Sequence, residues 1–241
     1  MRIVSLVPSI TELLCDLGLS EQLVGRTGFC IHPWETMKTV PKVGGTKDVL
    51  MDRVRELEPT HVVVNIDENL KEDAETLAEF VPNVVVTHPL APRDNLDLYR
   101  QMGETFGVEA EAENLCEEFE AAYGKAVASL GKQQDVLYLI WKDPWMSVSS
   151  DTYISQTLGL FGWRTLPAAT AERYPAVDLA DFSDVDRILL SSEPFHFKEH
   201  HVREVEGLVP GATVSLIDDE MTSWYGSRAI RGLDYLAKFT A

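Results

Sequence analysis

The chain has 241 residues, and its 21 Lys and Arg against 39 Asp and Glu give a formal net charge of −18. That balance excludes a nucleic-acid backbone or an anionic membrane surface as natural partners. No apolar stretch approaches the roughly 18 residues that span a bilayer, so the chain is not membrane-embedded, and its length allows two lobes of about 100 residues each.

Residues 2–7 read as a first strand and not as a secretory leader, because the apolar run is short and no small-residue cleavage site follows. As printed, the chain is expected in the cytoplasm. A chain whose leader had been exchanged for Met would look the same and belong in the periplasm or at the cell surface. Ser9 is placed to cap a helix over 10–17 that stops at Gly18, and Leu23–Thr27 is short and extended. A long loop follows from Gly28 to Thr46. Helices are predicted over 48–57 and 69–80, with a strand at His61–Asn65 between them and a Val-rich, buried strand at Asn83–Thr87 after them. A further helix covers 94–106.

Over 108–130 the apolar residues Ala112, Leu115, Phe119, Ala122, Ala126 and Leu130 recur at spacings of three and four, the signature of one helical face. At about 1.5 Å per residue this helix would run roughly 33 Å. No Gly/Ser linker separates the two halves, so it is the natural connection: a lobe over 1–107, a connecting helix over 108–131 and a lobe over 132–241. The second half repeats the alternation. Strands are predicted at Val136–Trp141, Trp163–Leu166, Arg187–Ser191 and Thr213–Ile217, and helices over 151–160, 197–207 and 223–239. Strand–helix alternation throughout predicts two α/β lobes with mainly parallel sheets.

A small repeat supports the pairing. Thr11 precedes Leu17-Gly18-Leu19 and Arg26-Thr27; Thr152 precedes Leu158-Gly159-Leu160 and Arg164-Thr165. Similar landmarks in one order predict lobes of similar topology with a ligand cleft between them. Cys15, Cys30 and Cys116 form an odd, widely spaced set that suggests neither a disulfide framework nor a zinc ribbon.

In open α/β sheets, ligands sit beyond the carboxyl ends of the strands. Those ends carry Phe29, Trp34, Trp141, Trp145, Trp224 and Tyr225. Clustered aromatics at loop tips fit a flat, partly apolar ligand, although each alone could cap its lobe's core. Phosphate loops, the G-x-S-x-G elbow and the H-E-x-x-H zinc motif are missing from the sequence. Gly44-Gly45 could offer backbone N–H groups to an anion or simply form a turn. His196, His200 and His201 fit a solvated helix face. Glu68, His88, Glu193 and Asp219, one from each strand end, would suit zinc or manganese if they converged.

The opening run Ile3-Val4-Ser5-Leu6-Val7-Pro8-Ser9-Ile10-Thr11-Glu12-Leu13-Leu14, followed by Leu17-Gly18, resembles the first strand and helix of the helical-backbone (class III) substrate-binding proteins of ABC importers. Val43-Gly44-Gly45-Thr46 and Glu56-Leu57-Glu58-Pro59-Thr60-His61-Val62-Val63-Val64 resemble that family's entry into a later strand. The likeness extends over the whole chain and is nearest to the B12-binding branch. It implies two α/β lobes joined by one long helix, no enzymatic activity, no intrinsic cofactor, a monomer, and a metal-chelate ligand: a corrinoid such as cobalamin, haem or a ferric siderophore. Implied ligand contacts are Phe29, Trp34, Trp141, Trp145, Trp224 and Tyr225, with Arg26, Gly45, Asn65, His88, Lys142 and Glu193 as polar contacts. The family docks on a membrane permease through one acidic residue per lobe. Asp52 matches in the first lobe; the matching place in the second falls near Ser223, which is not acidic, with Asp219 and Glu220 close by and Glu220 taken as the docking residue. Two alternatives of other kinds stand beside this reading, a zinc or manganese binder using the four strand-end ligands and a two-lobed nucleotide-sugar enzyme.

Overall fold

The computed structural model describes residues 1–168 and 170–241; Ala169, in the predicted loop after the sixth strand, lies outside them. In the first half, strands β1 (Ile3–Ser5), β2 (Leu23–Arg26), β3 (His61–Asn65) and β4 (Asn83–Thr87) alternate with helices α1 (Pro8–Asp16), α2 (Trp34–Met37), α3 (Met51–Glu56), α4 (Lys71–Ala78) and α5 (Asp94–Phe106). A long helix, α6 (Glu109–Ala128), follows. The second half contains β5 (Gln134–Leu139), α7 (Tyr153–Gly159), β6 (Trp163–Leu166), β7 (Arg187–Ser191), α8 (Glu199–Leu208), β8 (Thr213–Ile217), α9 (Glu220–Ser223) and α10 (Arg228–Phe239).

The chain forms two compact units. One comprises Met1–Pro89, Asn95–Cys116 and Tyr225–Arg228, and the other Leu90–Asp94, Glu117–Trp224 and Ala229–Ala241. Each holds one four-stranded, all-parallel sheet, ordered β2-β1-β3-β4 in the first lobe and β6-β5-β7-β8 in the second. The strand orders are the same with the numbers advanced by four, so the sequence repeat reflects a repeated topology.

The cores follow from strand composition. Val4, Leu6, Val62 and Val64 of the first lobe pack with Val43, Val54 and Leu77 from the surrounding segments. In the second lobe Leu137, Leu139, Ile188 and Leu190 pack with Phe197, Val205 and Val209. Runs of this kind suit central parallel strands covered on both faces. β4 differs from expectation. It is an edge strand, and Val86 is 47% exposed despite the apolar sequence.

Two helix termini also differ. α1 begins at Pro8, with Val7 as N-cap and no side-chain cap, so Ser9 lies inside the first turn. Proline at the first helical position needs no N–H partner and presets φ, which makes a polar cap dispensable. The helix predicted over 223–239 starts only at Arg228 as α10, and a break separates it from α9, which ends at Ser223. At the break Gly226 has φ +82°, its N–H donates to Asn95 Oδ1 at 2.7 Å, and its carbonyl accepts from the Tyr99 hydroxyl at 2.9 Å. A Cβ there would lie 3.2 Å from the Ser9 carbonyl oxygen. Gly226→Ala is therefore expected to lower stability by about 1–2 kcal/mol in urea unfolding, from the left-handed backbone alone.

Candidate functional site

In the first lobe the strand ends β2 and β3 open into loops with apolar tips. Phe29 is 63% exposed, Trp34 60% and Ile66 58%, which is unusual for side chains that could have been buried. α2, a short helix within the expected loop, carries Trp34, and Pro33 extends the chain at its N-cap. The backbone beneath Phe29 is tight. Gly44 has φ +111°, and a Cβ on it would meet the Asp48 carbonyl oxygen at 2.2 Å. The Gly45 N–H donates to the Asp48 carbonyl at 2.9 Å, so it closes a turn and is not presented to an anion. Gly45 instead allows close approach, with its would-be Cβ 3.5 Å from the Phe29 ring.

Several polar residues expected at the surface are buried. Arg26 is 4% exposed; its Nε donates to the Met37 carbonyl at 2.8 Å and its Nη1 to the Thr27 carbonyl at 3.0 Å, anchoring the loop that carries Phe29 and Trp34. Asn65 is 2% exposed, donating to Thr87 Oγ1 and accepting from the Asp67 N–H at 2.8 Å. These side chains shape the strand ends from below. His88 is exposed, its Nε2 3.4 Å from Asp67 Oδ2. Asp52 is exposed in the first turn of α3.

Tyr225 is also buried, and its hydroxyl donates to Glu68. Burial is the main reason that the Glu68 carboxyl is pushed up to about 7, with Tyr225 and Lys47 opposing and Asp67 reinforcing the shift.

The second lobe has its own buried carboxyl. Asp219 accepts from the Tyr138 hydroxyl and from Ser223 Oγ, both at 2.6 Å, while its N–H donates to Ser192 Oγ at 2.9 Å. Burial pushes it up to about 6, partly offset by the Ser223 and Tyr138 hydrogen bonds. With Glu68 and Asp219 each held by hydroxyl donors, the four-ligand metal alternative is not supported. Among the described residues no three His, Cys, Asp or Glu side chains group to hold a metal ion.

The aromatics of the second lobe largely pack on one another. Trp145 stacks on Phe197 at 6.1 Å and joins the edge of the core. Trp141, 40% exposed, meets Phe195 edge-on at 5.6 Å. Lys142 is held by both Glu204 oxygens at 2.6 and 2.7 Å and lies 5.4 Å from the Trp145 ring centre. Trp224 is half-buried where α9 ends. His201 is not on a solvated face: it is 8% exposed, accepts from the Lys198 N–H at 3.0 Å, and its burial lowers its pKa.

At the ends of β7 and β8 lies a cavity of about 470 Å³. Leu190, Phe197, Leu216 and Ile217 give it apolar walls, and Glu193, His196, Asp218 and Glu220 its polar lining. Asp218 and Phe197 were not singled out by sequence, though Asp218 directly follows β8 and Phe197 lies in the segment between β7 and α8. Glu220, placed by resemblance at a docking position, forms part of this wall.

A family model described as "Periplasmic binding protein" matches residues 3–186. The chain belongs to that family. It is accordingly a substrate-binding protein and not an enzyme. Several solved periplasmic binding proteins share the fold over nearly the full length. The vitamin B12 binding protein BtuF of Vibrio cholerae is 14% identical, with a TM-score of 0.84 over 99% of this chain and 96% of that one. The haem-binding protein RhuT of Roseiflexus sp. RS-1, in apo form, is 20% identical, with a TM-score of 0.85 over 99% and 97%. HutB of Vibrio cholerae, a periplasmic haem-binding protein, is 21% identical, with a TM-score of 0.83 over 99% and 98%. No curated protein sequence matches. Among the described residues, no helix of this periplasmic binding protein is long and apolar enough to cross a membrane.

Proposed function

We propose that the chain is the substrate-binding protein of an ABC-type importer and carries a metal-chelate ligand, a corrinoid, haem or ferric siderophore, on its strand-end loops. The observation that carries this reading is the exposed apolar set Phe29, Trp34 and Ile66 at the carboxyl ends of the first lobe's strands, where an α/β sheet receives ligands. The rigid turn at Gly44–Gly45 and the Arg26 anchor hold that surface in place, which limits the ordering cost of binding. Structural neighbours that bind vitamin B12 and haem support the ligand class. Trp141, Trp224, His88 and Glu193 complete the contact set. Exposed Asp52 is the permease contact of the first lobe, and the working compartment is the periplasm or cell surface.

Thermal-shift and absorbance titration against cyanocobalamin, haem and a ferric siderophore tests this. A ligand raises the melting temperature with the logarithm of its concentration. Phe29→Ala and Trp34→Ala should each weaken binding by about 1–3 kcal/mol. An unmoved melting temperature with all three chelates would overturn the assignment.

A further inference from the structure

We infer that the second lobe selects its ligand by charge: it admits chelates that present neutral amides or positive charge and rejects those decorated with carboxylates. This rests on the ligand class proposed above and concerns the cavity at the ends of β7 and β8. Its apolar walls, Leu216 and Phe197 among them, suit the body of a flat or globular chelate. Its polar lining is another matter. Glu193, Asp218 and Glu220 are carboxylates, and His196 is the one lining side chain able to carry positive charge.

A second observation points the same way. Two basic residues that sequence position puts at the strand ends are engaged inside their own lobes. Arg26 is buried on the Met37 and Thr27 carbonyls, and Lys142 is held by both oxygens of Glu204. Recognition of an acidic ligand favours guanidinium or ammonium groups that can reach it. A carboxylate brought to the second lobe's cavity would instead meet like charges, the usual form of rejection at a binding surface. The net charge of −18 extends that repulsion to the approach of the ligand. Amide N–H groups or an ammonium arm would find acceptors in the same place.

The test compares chelates that share a framework and differ in charge. One pair is a cobinamide with its amide side chains and the corresponding corrin polycarboxylic acid. The other is a ferric trihydroxamate bearing an ammonium arm and the same chelate with that arm succinylated to a carboxylate. The amide or cationic member should bind at least about tenfold more tightly, a ratio that shrinks toward unity as salt rises to about 0.5 M. The doubly neutralised variant Glu193→Gln with Asp218→Asn should recover roughly fivefold of the anionic member's affinity per carboxylate removed. An unchanged melting temperature shows that the variant is folded, and the salt series on the unaltered protein reads the same discrimination without it. Equal or tighter binding of the anionic members overturns the inference and leaves the importer assignment standing, as does discrimination that the variant leaves intact. Failure of all four chelates to bind overturns both.

Discussion

Replacing Arg228 by Met should destabilise the protein by about 3–5 kcal/mol, the largest single-residue effect we expect. Arg228 opens α10 and belongs with the first lobe, where its Nε and Nη2 donate to the two oxygens of Glu12 at 2.6 and 2.9 Å. The side chains are 6% and 8% exposed. Such a bidentate pair is compatible with burial because each charge is met by the other. Removing the cation leaves a carboxylate that is only 8% exposed without its guanidinium. Glu12→Leu with Arg228 retained should cost comparably, while the double change Glu12→Leu, Arg228→Met should recover much of the loss, since neither residue is then left charged and alone. Equilibrium urea unfolding of the three variants reads the cycle. If the single changes cost less than 1 kcal/mol, the pair is not the anchor described.

The second prediction concerns pH. Glu68 has a folded pKa raised from 4.5 to about 7, and Asp219 one raised from 3.8 to about 6. A carboxyl that binds its proton more tightly when folded favours the native state at low pH. Its contribution is complete below about 4 and is lost as pH rises through 6 to 7. Unlike a salt-bridged carboxylate such as Asp135, whose pKa is lowered by Arg164, these two should make the protein more stable at pH 5 than at pH 8. At 1.36 kcal/mol per unit, Asp219 accounts for about 3 kcal/mol. Glu68, which keeps part of its surface in water, accounts for about 2 kcal/mol after screening. Glu68→Gln and Asp219→Asn should therefore be more stable than the unaltered protein at pH 8, with the advantage gone by pH 4.5. Urea midpoints across that range decide it, and an advantage independent of pH would refute the assignment.

Much of the architecture is legible in the sequence because buried parallel strands must be apolar on both faces, and Val62-Val63-Val64 or Ile188-Leu189-Leu190 can hardly be anything else. The repeat announces topology but not equivalence of residues. Gly18 ends α1 with φ +80°, whereas Gly159 is still helical and Gly162, at φ +83°, sits just before β6. Arg26 is buried against carbonyls, whereas Arg164 is exposed and paired with Asp135. Such differences come from tertiary partners distant in the chain. The break at Gly226 combines local and distant causes: the glycine permits the left-handed backbone, and Asn95 and Tyr99 of α5 hold its N–H and carbonyl. At the candidate site, sequence position located the strand-end loops well and misjudged depth. Asn65 and Tyr225 lie under the surface, a distinction that alternation of apolar and polar residues does not encode.

The four residues Tyr225–Arg228 carry an implication for biosynthesis. They are integral to a lobe whose other segments end at Cys116, and their partners Glu12 and Asn95 precede them by 216 and 131 positions. As the ribosome releases the chain, the first lobe's sheet can form early, but Glu12 stays without its guanidinium and Asn95 and Tyr99 without the Gly226 backbone until residues 226–228 have emerged. The N-terminal half is therefore a poor candidate for independent expression, and a nonsense change anywhere before Arg228 damages the first lobe as surely as the second.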